Sequence, residues 1–149
     1  TVMNNFIKII TLTTILAFSA SASANSATDT FAQCLVDNLN GKERKSLAKW
    51  IFFAIGSHPE IKSYSNATED AVDESNKYVG ELISKLLLVN CPEELKSANK
   101  SDPLAIQKAF ELVGQVAIQE LMTNTDTMQA LTNYTKYADL EKITKLLAE

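Results

Sequence analysis

The stretch 69–90, EDAVDESNKYVGELISKLLLVN, decides the fold. Ala71, Ser75, Tyr78, Leu82, Leu86 and Val89 recur at steps of four and three, and Val72, Val79, Ile83 and Leu87 widen the stripe. This is the period of one face of an α-helix, so a helix is predicted over 69–89. Glu69, Asp70, Asp73 and Glu74 fall in its first turn and a half, where acids complement the helix dipole. Asn90-Cys91-Pro92 ends it, because proline cannot continue the hydrogen-bond ladder.

The same period recurs on both sides. Upstream, Phe31, Cys34, Leu35 and Leu39 predict a helix from Ser26 to Asn40, closed at Asn40-Gly41. A second helix starts at Lys42, carries Leu47, Trp50, Ile51, Ala54 and Ile55, and stops at Gly56-Ser57-His58-Pro59, with Gly56 expected in a left-handed cap. Downstream, a short helix is predicted from Pro92 to Lys100, then a long one from Asp102-Pro103 to Met122, with Asp102 as N-cap. Ile106, Phe110, Val113, Ala117 and Leu121 mark its expected buried face, and its narrow polar stripe predicts a central position. Gly114, on the apolar side, suggests close approach of a neighbour. Met128–Tyr137 and Asp139–Leu147 complete the pattern.

Composition agrees. Hydrophobic residues make up 46% of the 149, and only four Gly and three Pro are present, which argues against a turn-rich sheet and against long disorder. The expected fold is all-α: a compact bundle of five or six helices in one domain over 25–149. Before it, Lys8 precedes an apolar run from Ile9 to Phe18 and a small-residue stretch ending in Ala22-Ser23-Ala24. This is the layout of a secretory signal peptide over 1–24, cleaved after Ala24, with Thr1 and Val2 an upstream remnant before Met3. The run is too short to anchor a helix in a bilayer, so no membrane anchor is expected after processing. The predicted address is the periplasm.

Cys34 and Cys91 are the two cysteines, and in an exported protein they are expected to pair as a structural disulfide. Closing a loop of that length removes unfolded-chain entropy worth about 4 kcal/mol. With one histidine in the chain, the pair does not build an ordinary four-ligand zinc site, and no metal or cofactor is expected. The loop Asp37-Asn38-Leu39-Asn40-Gly41 lacks the alternate oxygen ligands of a calcium loop, since the third position is Leu39 and the twelfth is Ala48. A helix end accounts for it better.

Catalytic motifs are missing as well. There is no nucleophile elbow, phosphate-cradling glycine loop or zinc-protease motif, and His58, the only imidazole, sits in a Gly-Ser-His-Pro turn where a polar turn or capping role is expected. An enzyme would need His58 in a cleft beside a carboxylate. After removal of Lys8 the chain keeps thirteen basic against eighteen acidic residues, which makes nucleic acid an unsuitable partner.

The second helix carries the one unusual surface. Lys42, Lys45 and Lys49 form a polar stripe, Phe52 and Phe53 flank its continuation, and Trp50 is close by. The general rule that aromatic side chains are core predicts an end buried under the long helix and the tail. The alternative is an exposed aromatic face, with Trp50, Phe52 and Phe53 as anchors and Lys45 and Lys49 orienting a protein partner.

The segments Cys34-Leu35-Val36-Asp37, Gly41–Lys45, Leu47–Ala54, His58-Pro59-Glu60, Phe110–Gln115 and Glu120-Leu121-Met122 together resemble small, uncharacterised exported all-helical proteins of Gram-negative bacteria. That resemblance implies a periplasmic address and no activity, cofactor or site. In size, export and helicity the chain is also loosely similar to periplasmic immunity proteins that neutralise cell-wall toxins. The expected function is therefore non-enzymatic protein interaction, immunity or inhibition being one form. The alternative is a carrier of a small apolar ligand in the bundle interior, suggested by the broad apolar stripes. A homodimer is compatible with either.

Overall fold

The structure, a computed structural model, describes residues 19–148, with side chains from residue 26 onward. Most of the predicted signal segment lies outside the described residues. Among them there are eight α-helices and no strand: α1 (Ser19–Asp37), α2 (Gly41–Gly56), α3 (Pro59–Lys62), α4 (Glu69–Lys85), α5 (Pro92–Ser101), α6 (Ala105–Met122), α7 (Thr125–Thr132) and α8 (Leu140–Leu147). A π-helical turn, Leu86–Asn90, extends α4, and a 3-10 segment, Asn133–Tyr137, joins α7 to α8. The helices number more than the expected five or six: the single turn at Pro59–Lys62 matches no segment read from the sequence, and each of the two tail patterns forms a helix of its own.

The core forms where four helices bring small and branched side chains together. α6 lies at the centre, packed against α1, α2, α5 and α7, while α4 packs on α2. Phe31, Leu35, Leu47, Val79, Leu82, Leu86 and Val113 fill the middle. The central position of α6 agrees with its narrow polar stripe, but its buried line is Ala105, Ala109, Val113 and Ala117. Ile106 is 40% exposed and Phe110 only half-buried, which rotates the expected face. Alanines every four residues let the neighbouring backbones come close, and that takes precedence over burying the bulkier side chains.

Several helix ends differ from expectation for local reasons. α1 stops at Asp37, and Asn40 begins the next helix instead of ending this one. The Asn40 side chain accepts the Glu43 N–H at 2.9 Å while Glu43 Oε2 accepts the Asn40 N–H at 2.9 Å, a reciprocal capping box. Gly56 does not adopt a left-handed cap, since no glycine among the described residues has positive φ. Ser57 ends α2 in right-handed conformation, its N–H reaching the Phe53 and Ala54 carbonyls. Asp102 does not cap a helix beginning at Pro103: its Oδ1 accepts the Leu104 N–H at 2.8 Å, and α6 starts at Ala105. Gly114 meets no neighbouring atom within 4 Å of an added Cβ, so the close approach expected there is absent.

Cys34 and Cys91 are paired, with Cα atoms 6.1 Å apart. The π turn leads into the bridge. The Cys91 N–H donates to the Leu86 carbonyl at 2.9 Å, a five-residue step that widens the helix just before Pro92. The wider turn leaves Leu88 and Val89 more than 70% exposed, so Val89 leaves the stripe that the strict period assigned it.

Candidate functional site

α2 presents two unlike sides. Inward, Glu43, Leu47 and Ala48 are buried against α4 and α6. Outward, Lys42, Lys45, Lys49, Phe52 and Ile55 follow one another at steps of three and four, which stacks them along one ridge of the helix. Phe52 is 56% exposed and Ile55 53%. The tail does not cover this end, so the expectation of a buried aromatic end is corrected for Phe52. Phe53 is half-buried, its ring centroid 6.0 Å from that of Phe52.

Trp50 belongs to the seam between α2 and α4 rather than to the ridge. It is half-buried, and its indole N–H donates to Asn76 Oδ1 at 2.9 Å. An indole donor satisfied this way sets the ring's direction and links the two helices. Asn76 had no signal in the sequence, since a lone polar residue inside an amphipathic helix reads as solvated. At the first turn of α2, Lys85 Nζ lies 3.3 Å from Glu43 Oε1 and ties the end of α4 to the start of α2.

Among the described residues, Lys42, Lys45 and Lys49 have no carboxylate within ion-pair distance. The ridge therefore offers unpaired ammonium groups at one end and two large apolar side chains at the other. Its chemistry suits a partner that presents an apolar patch beside acidic groups. A cleft of about 410 Å³ runs along the lysines, lined by Lys42, Lys45, Ser46 and Lys49.

Beyond the Trp50–Asn76 bond the seam opens into a cleft of about 550 Å³, with Phe53, Gly56 and Val72 as apolar wall and Lys62, Glu69 and Asp73 as polar wall. Two of the four acids read as dipole partners thus also line a cleft. His58 is not part of its lining. The imidazole is exposed, and its Nδ1 accepts the Glu60 N–H at 3.2 Å as N-cap of α3, the polar turn role read from the sequence. Cys34, Cys91 and Glu94 cluster within 4.8 Å, but both sulfurs are committed to the disulfide and neither is a thiolate ligand. None of the clefts described here is lined by the central residues Phe31, Leu35, Leu86 or Val113.

Among the described residues no helix is long and apolar enough to cross a membrane. Comparison with protein-family models, with curated proteins and with solved structures finds no match to the chain.

Proposed function

We propose that this is an exported, periplasmic, non-enzymatic protein that acts by protein–protein contact through the outer ridge of α2, immunity or inhibition being one form of that action. The observation that carries the reading is the exposure of Phe52 and Ile55 in line with Lys45 and Lys49. Large apolar side chains beside unpaired cations are the composition of an anchor and its orienting rim. Phe53 backs Phe52 from the inner side, and the Trp50–Asn76 hydrogen bond links α2 to α4. A partner therefore meets a rigid ridge on a regular helix, which lowers the ordering cost of association.

The test compares tagged wild-type protein with Phe52→Asp in the periplasm of the native host. A protein retained in stoichiometric amount by the wild type and lost by a folded Phe52→Asp supports the reading. Equal retention by both, or retention by neither, removes it.

A further inference from the structure

The cleft of about 550 Å³ beyond the Trp50–Asn76 bond is built from three segments, and none of Lys45, Lys49, Phe52 and Ile55 of the outer ridge lines it. α4 contributes Glu69, Val72, Asp73 and Asn76, which stand at positions i, i+3, i+4 and i+7 and so share one face of the helix. α2 contributes Phe53 and, one turn on, the buried Gly56. The connection between the two helices closes the third side with Lys62 and Ser65. A Cβ added at Gly56 would lie 3.2 Å from Ser65 Oγ, so the connection seats on α2 there because position 56 carries no side chain.

The hydroxyls of the lining are engaged within their own turns. Ser57 Oγ donates to the Ala54 carbonyl at 2.7 Å, and Ser65 Oγ accepts the Ala67 N–H at 3.3 Å. The remaining polar groups are not engaged. Asn76 gives its Oδ1 to the Trp50 indole, which leaves its Nδ2 donor with no acceptor among the described residues. Lys62 faces the same cleft as Glu69 and Asp73, yet none of the three takes part in an ion pair among the described residues. Opposite charges that line one cleft without meeting leave space between them for a ligand that carries both.

We propose that this cleft binds a short apolar peptide with free ends: its ammonium on Glu69 and Asp73, its carboxylate toward Lys62, a peptide carbonyl accepting from Asn76 Nδ2, and its side chains against Phe53 and Val72. Other small occupants match the lining less well. Two carboxylates against one ammonium repel a simple anion. A neutral apolar molecule leaves three charges and an amide donor without partners, and a simple amine leaves Lys62 and Asn76 unmatched. The volume lies within the roughly 300–1,000 Å³ of small-molecule sites, which combine an apolar wall with a few placed polar groups. The charged side chains are exposed, so each ion pair contributes modestly and contact with the half-buried Phe53 and Val72 supplies a comparable share.

Titration of the protein as its host makes it with the dipeptide leucyl-leucine, followed by calorimetry and amide-resolved NMR, tests this. Saturable one-to-one binding is expected, with resonance shifts at the Asn76 side-chain amide and at Val72. Glycyl-glycine, and leucyl-leucine acetylated at its amine, are each expected to bind roughly tenfold more weakly. The double variant Glu69→Gln, Asp73→Asn weakens leucyl-leucine by a similar factor, and Asp73→Asn alone serves if the double variant does not fold. Lys62→Gln weakens leucyl-leucine but not its C-terminal amide, a difference that a merely structural role would not produce. Four outcomes overturn the proposal: no saturable binding, shifts confined to other parts of the chain, glycyl-glycine or the acetylated peptide binding as well as leucyl-leucine, or a folded carboxylate variant that binds like the wild type. Phe52→Asp leaves the titration unchanged, so this proposal and the α2 reading fail separately.

Discussion

Glu43 and Lys85 meet across the α2–α4 seam at 3.3 Å, and the same carboxylate accepts the backbone N–H of Asn40. One buried side chain thus caps α2 and fixes where α4 ends. Glu43→Ala removes both contacts and is expected to cost about 1–2 kcal/mol, read as a lower urea midpoint. Lys85 is half-exposed, so Lys85→Ala is expected to cost well under 1 kcal/mol. Equal losses from the two variants would show that the ion pair, and not the cap, holds the seam.

The disulfide joins α1 to the end of the π turn, and Cys91 is fully buried. The double variant Cys34→Ser, Cys91→Ser is expected to lose about 4 kcal/mol and to lower the melting temperature by on the order of 10–20 °C. An unchanged melting temperature would mean that the pairing contributes nothing to the folded chain.

Gly80 lies exposed in mid-α4, and an added Cβ there meets nothing within 4 Å. Gly80→Ala is expected to stabilise the protein by about 1 kcal/mol through helix propensity and a less flexible unfolded chain. Gly114→Ala should do the same, for the same open surroundings. A loss of stability at position 114 would restore the close packing that the sequence suggested.

Asp102 sits at the α5–α6 turn, where the hydrogen bond from Lys108, joined by the Leu104 N–H, holds its carboxyl below the usual carboxylate range. Its folded pKa is lower than its unfolded one. The stabilisation is therefore complete above the unfolded value and is lost as the pH falls through the folded one. Thermal melts of wild type and Asp102→Asn across that acid range are expected to converge. An advantage of the wild type that persists below it would contradict the assignment.

How much of this was legible in the sequence differs from element to element. The run 69–90 showed α4 because its stripe is continuous, and the same period showed α2 and α6. The end of α1 differs from the sequence expectation because Asn-Gly has the composition of a helix stop, while Asn40 and Glu43, at capping-box spacing, open α2 there. The rotation of α6 was not legible: alanines carry little hydrophobic signal, and only the distance to α1 and α2 makes them the buried line. The π turn was equally hidden, since it appears where α4 must deliver Cys91 to Cys34. At the candidate site the lysine stripe and the aromatics were visible, but the exposure of Phe52 depends on a tail that stays away from it. The Trp50–Asn76 bond is a tertiary contact with no pattern of its own.

Contact through the outer ridge of α2 is directly testable in cells. The most direct measurement is photo-crosslinking in living cells of the native host, with a photoreactive residue at Phe52 and, as control, at the exposed Glu81 of α4. A contact surface there gives a discrete crosslinked species from position 52 that disappears when Ile55→Asp is added, and none from position 81. The same pattern from both positions, or no crosslink at position 52, would contradict it.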